Sequence, residues 1–302
     1  MTSTTTSSNV LWTLGAVAAA TVSVVGLRAL FARSKKITDY PQDTVILHQV
    51  GRGRYAPSLS PFPLKLETYL RFAKIPYKSV HSFKMSPKRK TPWITFNGVV
   101  ISDSSFIIEF LNDKFNVDLN KHLSPSQRAT ARAFQKMVEE ELYWTLVYSR
   151  WVDKNSTLVL AKLFPKGFLY SHIVPLMATR GVKKTFYNQG ISRHTEEEIY
   201  SIAEKDIRAL SVFLGDKQFL FGDEPCEEDC AIFGQLAQTL WQMEGSRQQA
   251  LLKGDCSNLS EYCYRMKVRF WPDWEQCIMG DQDWTGFFAW PETDTTVIKS
   301  SE

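Results

Sequence analysis

The chain has 302 residues, enough for about two domains of ordinary size. Its hydrophobic fraction of 44% and charged fraction of 23% are typical of a globular protein and exclude an intrinsically disordered one. The net charge of +4 comes from four basic residues that precede every acidic residue, Arg28, Arg33, Lys35 and Lys36, so the remaining chain is neutral overall and offers no basic field for nucleic acid.

Residues 1–36 are predicted to contain a membrane anchor. Val10 to Leu27 are free of charge, at the short end of the ~20 residues that a spanning helix needs. The preceding segment MTSTTTSS lacks the positive charges that usually open a cleaved signal peptide, which favours an uncleaved anchor over about residues 10–31. The basic cluster after it predicts a single-pass membrane protein whose body faces the cytoplasm. An amphipathic or transit segment is the alternative.

The five cysteines argue against covalent or metal crosslinks. Their number is odd and the chain has no CxxC pair, so neither a disulfide framework nor a zinc site is indicated. We expect no metal.

Residues 37–115 carry the signals of a β-α-β, loop, β-β-α order. The apolar run Asp43–Val50 predicts a buried strand, and Ser60 before Pro61 predicts the start of a helix, because serine is a good cap and proline suits the first turn. The stretch PYKSV predicts a second strand ahead of the basic loop Lys84–Lys90.

The stretch TPWITFNGVVISDSSFIIEFL, Thr91–Leu111, predicts the next three elements. Asn97-Gly98 between two β-rich runs is typical of a two-residue hairpin turn, whose central residues both need a positive φ. Ser102 or Asp103 can then cap a helix whose apolar residues recur at helical spacing.

This order is thioredoxin-like. In that fold the proline before the third strand, here Pro92, is typically cis, and the backbone of the residue before it, Thr91, is left free to face a ligand.

Residues 123–278 are predicted to be all helical. Ser124 with Gln127, and Thr195 with Glu198, form two capping boxes, the second opening a helix through Leu214. Further helices are predicted after the Gly-Asp-x-Pro turn of FLFGDEPCEED and over Leu259–Phe270. The polar residues 279–302 are expected to be a flexible tail.

Two sets of residues have a structural and a functional interpretation. Met137, Trp144, Tyr148 and Trp151 could line a groove for an electrophilic substrate, although aromatic stripes at this spacing more often belong to a core. His48, at the end of the first strand, is expected to be structural.

A thioredoxin-like half followed by an all-helical half resembles the glutathione transferases. The implied fold class is α+β, with the thioredoxin-like domain first, the all-α domain second and the membrane-anchor helix ahead of both. Pro92 matches the family's cis-proline, and Asp103-Ser104 resemble the pair that holds the γ-glutamyl end of glutathione. FLFGDEPCEED, with Asp229, resembles the motif opening the buried helix of the second domain, and Cys226 stands where that motif has a hydroxyl.

A closer resemblance is to the failed axon connections homolog family, in the metaxin-like branch of the transferase superfamily. It is carried by DTVILHQVGRGRYAPSLSPFPLKLETYL, KMVEEELYWTL, EEEIYSIAEKDIRAL and RFWPDW, and it extends from about Asp39 to Cys277. It implies a membrane-linked, neuron-associated protein with a role in axon development and with protein partners. It leaves a homodimer open and supplies no established reaction.

The resemblance to the transferases implies glutathione as a ligand, with no other cofactor, and a set of residues to bind it. Ser60 would donate a hydrogen bond to the sulfur, with Ser58 as second choice, at a helix end whose partial positive charge favours a thiolate. Thr91, beside Pro92, would pair its backbone with the cysteinyl part. The γ-glutamyl end would meet Asp103 and Ser104, and the glycine carboxylate would meet Lys88 or Lys90.

Two functions are therefore open. We prefer an adaptor that acts through protein contacts, because of the resemblance to the failed axon connections homolog family. The connection from Val50 to Ser58 argues against catalysis, because it is longer than the tight turn that places a transferase hydroxyl. Pro63 also stiffens the first helical turn, and no tyrosine ends the first strand. The alternative is an active glutathione-dependent transferase that uses Ser60 on hydrophobic electrophiles.

Overall fold

The computed structural model describes residues 40–82, 84–154, 156, 159–160, 174–280 and 293–295. The chain divides into two units, Met1–Gln42 and Asp43–Glu302. The predicted anchor over about residues 10–31 lies outside the described residues. Within them, no helix is both long enough and apolar enough to cross a membrane.

The first half of Asp43–Glu302 is a mixed sheet with two helices. The strands lie in the order β4 (Val99–Ser102), β3 (Trp93–Phe96), β1 (Val45–Gln49), β2 (Tyr77–His81) and β5 (Thr293–Thr295), with β1 and β2 parallel and the other neighbours antiparallel. This confirms the predicted thioredoxin-like order. The elements are β1 (Val45–Gln49), α1 (Pro61–Phe72), β2 (Tyr77–His81), β3 (Trp93–Phe96), β4 (Val99–Ser102) and α2 (Ser104–Phe115).

The turn between β3 and β4 has the predicted conformation. Asn97 and Gly98 have φ values of +47° and +82°, as a two-residue hairpin turn of the primed type requires. The Asn97 side chain also closes onto Asp43, accepting from its backbone N–H at 2.7 Å. The hairpin brings Ser102, the last residue of β4, back opposite Trp93.

The second half is helical, as predicted. Its elements are α3 (Pro125–Lys136), a π-helical turn (Met137–Leu142), α4 (Tyr143–Trp151), α5 (Val174–Gln189), α6 (Glu196–Leu214), α7 (Asp229–Gln242), α8 (Arg247–Lys253) and α9 (Ser257–Phe270). Both predicted capping boxes are present, at Ser124 with Gln127 and at Thr195 with Glu198.

Helix α7 begins as the family motif implies. The Asp229 carboxylate accepts from the backbone N–H of Cys226 at 2.7 Å and of Leu220 at 3.2 Å, and from the Tyr262 hydroxyl at 2.8 Å. These donors satisfy a side chain that is fully buried. All five cysteines are buried free thiols.

The π-helical turn divides the aromatic stripe that the sequence suggests. It interrupts the helical period, so residues before and after it face different neighbours. Met137 packs against the core around α7, whereas Trp144, Tyr148 and Trp151 pack around a separate cluster that contains Phe186. The stripe therefore belongs to two hydrophobic cores and does not form one continuous groove.

The two halves share a core along α1 and α7. Leu64 of α1 lies in the same hydrophobic cluster as Phe233 and Leu236 of α7. The helices approach closely at Gly234, where an added Cβ would lie 2.7 Å from the Pro61 carbonyl oxygen and 3.1 Å from the Lys65 nitrogen.

A short strand, β5 (Thr293–Thr295), lies beside β2 at the edge of the sheet. It belongs to the segment 279–302 that the sequence predicts to be a flexible tail. Residues 281–292 and 296–302 of that segment lie outside the described residues.

Candidate functional site

The predicted site residues Pro92, Asp103 and Ser104 lie together at one end of the sheet. Trp93 pairs with His48 on one side and with Ser102 on the other, so Pro92, one residue earlier, lies between the end of β1 and Asp103. The Thr91–Pro92 bond is cis, as predicted. Thr91 is half-buried. The chain leaving β1 at this end leads to the first helix.

Ser60 is the N-cap residue of α1, but its side chain makes no capping hydrogen bond. The backbone there is extended, with φ −130° and ψ 144°, and the residue is half-buried. The hydroxyl thus lies at the positive end of a 12-residue helix without serving that helix as a cap.

Ser58, the second choice, is fully buried. Its hydroxyl accepts from the Ser60 backbone N–H at 3.2 Å, and its carbonyl oxygen accepts from Gln238 at 3.1 Å and from Gln242 at 2.6 Å. These contacts bury the long β1–α1 loop against α7. Of the two serines, Ser60 is the more accessible.

Asp103 has an unusual backbone conformation at the N-cap of α2. Its φ is +84° and its ψ is +123°, a combination that costs a non-glycine residue on the order of 1–3 kcal/mol. Its carboxylate accepts from the Ser105 N–H at 3.1 Å. Ser104, next in the chain, is 4% exposed. The sequence-predicted pair is therefore at a helix N-terminus beside Pro92, as expected.

Lys88 and Lys90, the candidates for the glycine carboxylate, each contact another side chain. The Lys90 ammonium pairs with Asp103 at 2.5 Å, and Lys88 lies over the Phe106 ring at 5.5 Å. Burial would raise the pKa of Asp103, but the hydrogen bond and charge of Lys90 outweigh it and lower the pKa below its usual value. The residue expected to meet one end of glutathione is thus paired with the residue expected to meet the other.

His48 is structural in its surroundings, as expected. Its ring stacks on Trp93 at 3.7 Å, and Nε2 lies 3.0 Å from the Thr95 hydroxyl. Burial, with a smaller effect of Lys84, lowers the pKa of His48 to about 4, so the ring is neutral at pH 7.

Lys65 is a nearby residue that the sequence did not indicate. It is 2% exposed and its ammonium bridges the two halves, reaching the Ser105 hydroxyl at 3.0 Å and Glu139 of the π-helical turn at 2.5 Å. A lysine at the fifth position of an amphipathic helix carries no signal of this role, because its partner is 74 residues away.

Arg150 of α4 is a second residue near the site that the sequence did not indicate. Its side chain is 6% exposed, and it donates to the Leu59 carbonyl oxygen at 2.8 Å and to the Gln238 amide oxygen at 3.2 Å. Burial lowers the pKa of Arg150 to about 10, with the nearby Tyr143 opposing the shift, and the guanidinium stays charged at neutral pH. Leu59 immediately precedes Ser60, so this cation lies beside the N-terminus of α1.

A cavity of about 340 Å³ lies elsewhere, in the helical half between α6 and α8. Arg247 lies over the Tyr200 ring there at 4.4 Å, and none of the predicted site residues lines it. Across the described ranges, no group of three or more His, Cys, Asp or Glu side chains could hold a metal ion.

The fold and the family models that match this chain identify it as a relative of the glutathione transferases. The family models described as glutathione S-transferase N-terminal domain and C-terminal domain match residues 61–156 and 203–266. Among solved structures, a β-etherase from Sphingobium sp. strain SYK-6 superposes with a TM-score of 0.56 at 16% identity, covering 78% of this chain and 98% of that one. A glutathione transferase from Phanerochaete chrysosporium superposes with a TM-score of 0.53 at 12% identity, covering 76% of this chain and 98% of that one. Both similarities show the fold.

Curated relatives specify the branch. "Failed axon connections" of Drosophila melanogaster is 31% identical over 280 residues, 85% of this chain and 65% of that protein. "Isoprene-epoxide--glutathione S-transferase" of Rhodococcus sp. (strain AD45) is 32% identical over 71% of this chain and 94% of its own length. Metaxin-1 of Sus scrofa is 32% identical over 72% of each chain. The chain belongs to the failed axon connections homolog family, in the metaxin-like branch of the glutathione transferase superfamily.

Proposed function

We propose that this protein is a membrane-anchored adaptor with a role in axon development, and that it keeps a glutathione-binding cleft without using it for efficient turnover. The observation that carries the cleft is that Pro92 and Asp103 lie side by side at the end of the sheet where the chain leaves β1 toward Ser60. The strained backbone of Asp103 supports it, because such conformations cluster at ligand sites. The axonal role rests on the kinship with the failed axon connections protein.

The placement of Ser60 supports binding over catalysis. The β1–α1 loop is long and is bound to the helical half through the Ser58 carbonyl. A long loop therefore positions the Ser60 hydroxyl, whereas a tight turn positions the hydroxyl in the enzymes. A ligand ammonium at Asp103 also has to displace Lys90. That pair is partly exposed and contributes at most about 1 kcal/mol, so it weakens the ligand only modestly.

The alternative is an active transferase that uses Ser60 on hydrophobic electrophiles. It is favoured by the uncapped Ser60 hydroxyl and by the 32% identity to an isoprene-epoxide glutathione S-transferase over 94% of that enzyme. In this mechanism Ser60 would donate a hydrogen bond to the glutathione sulfur, and the thiolate would attack the electrophile.

The two functions are separated by binding and turnover of the purified full chain. We expect retention on immobilised glutathione and, for a generic aromatic electrophile, a conjugation rate that Ser60→Ala leaves unchanged. Turnover that Ser60→Ala abolishes would establish the enzyme instead. A chain that glutathione does not retain would contradict the cleft.

The role of Lys90 has its own test. If Asp103 receives the γ-glutamyl ammonium, Lys90→Met removes a competitor and tightens glutathione binding by up to about fivefold, the equivalent of about 1 kcal/mol. If Lys90 instead meets the glycine carboxylate, the same change weakens binding. Lys121→Met, at an exposed position outside the candidate site, is the control and is expected to leave affinity unchanged.

The anchor is part of the proposal and rests on the uncharged run Val10–Leu27 and the basic cluster after it. A C-terminal reporter is expected to stay with membranes after alkaline carbonate washing and to be accessible from the cytosol. Deletion of Val10–Leu27 is expected to release it. A reporter found in the lumen would contradict the orientation.

A further inference from the structure

Residues 84–90, between β2 and β3, present cations and an apolar side chain to solvent. Their exposed charged and large apolar side chains are Lys84, Met85, Lys88, Arg89 and Lys90. Met85 is 49% exposed. The chain has no acidic residue between Glu67 and Asp103, so no carboxylate within this segment neutralises its cations.

This segment has a defined conformation. The Ser86 hydroxyl accepts from the Lys90 backbone N–H at 3.1 Å, and the Ser86 carbonyl oxygen accepts from the Arg89 N–H at 2.8 Å. The Ser86 N–H donates to the Lys90 carbonyl oxygen at 3.1 Å, and the Trp93 indole N–H donates to the Lys84 carbonyl oxygen at 3.0 Å. These bonds fix the backbone with its charged side chains outward, so binding a partner requires little further ordering of the backbone.

Phe106, in the first turn of α2, adds a second apolar side chain. It is 55% exposed, and the Lys88 ammonium lies 5.5 Å from the centre of its ring. On the next turns of α2 the exposed residues Glu109 and Asp113 are acidic, so the surface changes character there. The basic-apolar patch is defined as Lys84, Met85, Lys88, Arg89, Lys90 and Phe106.

The composition of the basic-apolar patch suits a membrane that contains acidic lipids. Such a surface attracts cations, and apolar side chains beside them enter the headgroup region. No carboxylate among the described residues pairs with Lys88 or Arg89, so their charge is available. A stable protein complex needs about 800 Å² of matched surface on each partner, whereas this patch is one turn of loop and one turn of helix.

We propose that the basic-apolar patch docks on a membrane surface rich in acidic lipids. The end of the sheet that carries Pro92 and Asp103 then faces the lipid, because Lys90 of the patch pairs with Asp103. The inference rests on the proposed anchor, which would keep the body near a membrane and raise the effective concentration of lipid at the patch. The anchor holds the chain at the membrane, and the patch sets which end of the sheet meets it.

A fluorophore at position 85 tests docking on the full chain. All five native cysteines are buried, so Met85→Cys supplies an exposed thiol for an environment-sensitive label. We expect its emission to brighten and shift to the blue with vesicles of phosphatidylcholine that contain about a third phosphatidylserine, and to change little with phosphatidylcholine alone. Salt at about 0.5 M should reverse most of the response.

Paired variants of the labelled chain test the charges. Lys88→Gln combined with Arg89→Gln is expected to lower the ratio of docked to undocked chain about 25-fold, because each cation near an acidic membrane contributes about fivefold. Lys183→Gln combined with Lys184→Gln removes the same charge from exposed positions of α5 and should change the ratio little.

Phe106→Ser tests the apolar part of the patch. It is expected to lower the ratio of docked to undocked chain about tenfold, because a half-exposed aromatic ring gains less from burial than a fully exposed one. Val268→Ser, at an exposed apolar position of α9, is the matched control and should leave the ratio unchanged.

The outcomes separate the patch from the anchor. Equal responses to both kinds of vesicle, or an equal loss in the α5 control, would overturn the patch. An equal response to polyglutamate in solution would indicate an acidic protein partner and overturn lipid docking. Flotation with phosphatidylcholine alone reports the anchor. A chain that floats without a response to acidic vesicles would contradict the patch only, and a response from a chain that does not float would support the patch and contradict the anchor.

Discussion

Glu67 on α1 carries the largest buried charge network of the sheet half. Its carboxylate is fully buried and bonds Arg52 through both oxygens, at 2.7 and 3.0 Å. Gln49 and Tyr77 donate to it as well, at 2.8 and 3.0 Å. Burial alone would raise the pKa of Glu67, but Arg52 and Arg71 outweigh that effect and lower the pKa to about 2.

We expect Glu67→Gln to lower the free energy of unfolding at pH 7 by about 3 kcal/mol, the worth of a carboxylate pKa depressed by about two units or slightly more. Because the folded-state pKa lies below the unfolded value, this contribution is present above about pH 4.5 and is lost as the pH falls toward 2. Urea denaturation of variant and wild type should therefore converge at low pH.

The matched control for Glu67 is Glu224→Gln. Glu224 pairs with Arg269 on the surface, where ion pairs contribute little, so the denaturation midpoint should hardly move. A Glu67 variant as stable as wild type at pH 7 would contradict the network's contribution.

Single residues also show where the sequence suffices. The Asn97-Gly98 turn and the caps at Ser124 and Thr195 are set by local backbone chemistry, and the sequence predicts all of them. The cis bond at Pro92 is predicted from the order of the elements. The role of Arg150 depends on contacts with Leu59 and Gln238, each some 90 residues away, which no local pattern encodes.

At the scale of elements, the crossing of α1 and α7 depends on one missing side chain. We expect Gly234→Ala to lower stability by about 1–3 kcal/mol, because its Cβ would meet the Pro61 carbonyl and the Lys65 nitrogen, which are backbone atoms and cannot rotate aside. Thermal denaturation measures the effect. In an uncrowded helix the same change should have the opposite sign.

Gly181, on an exposed position of α5, supplies that comparison. An added Cβ there meets nothing within 4 Å, so Gly181→Ala should raise stability by about 0.5–1 kcal/mol through helix propensity. Stabilisation at both positions would show that α1 and α7 can separate freely.

The sequence fails to predict some helical elements because the helical period does not reveal their boundaries. The π-helical turn at Met137–Leu142 adds a residue to a helical repeat, and the amphipathic pattern across it still reads as one helix. Helix α8 has only seven residues, too few for the helical period to stand out in the sequence, so tertiary contacts decide its boundaries.

At the scale of the whole molecule, the sheet half and the helical half of Asp43–Glu302 are expected to unfold together. They share the core around Leu64 and Phe233, and buried polar contacts cross between them at Lys65 with Glu139 and at Arg71 with Asp273. Far-ultraviolet circular dichroism and tryptophan fluorescence should report one coincident urea transition. Two separated transitions would show that each half is stable alone.

The architecture of both halves follows from the sequence because strand alternation, helical spacing and caps repeat over many residues. The packing of the two halves against each other does not follow from the sequence. The roles of Gly234 and Lys65 depend on contacts with residues that are far away along the chain. The candidate site contains residues that the sequence predicts and residues that it does not. Its sheet residues are predictable, whereas the contribution of α4 and α7 is not.

Gln238 and Gln242 of α7 both donate hydrogen bonds to the Ser58 carbonyl oxygen, and Ser60 lies two residues further along the chain. A protein that docks on the helical half and shifts α7 would therefore displace the sulfur end of the proposed cleft. Linkage is reciprocal, so occupancy of the proposed cleft would change the affinity for that protein by the same factor. In an adaptor of this construction, cellular thiol levels would become a signal read by its binding partners.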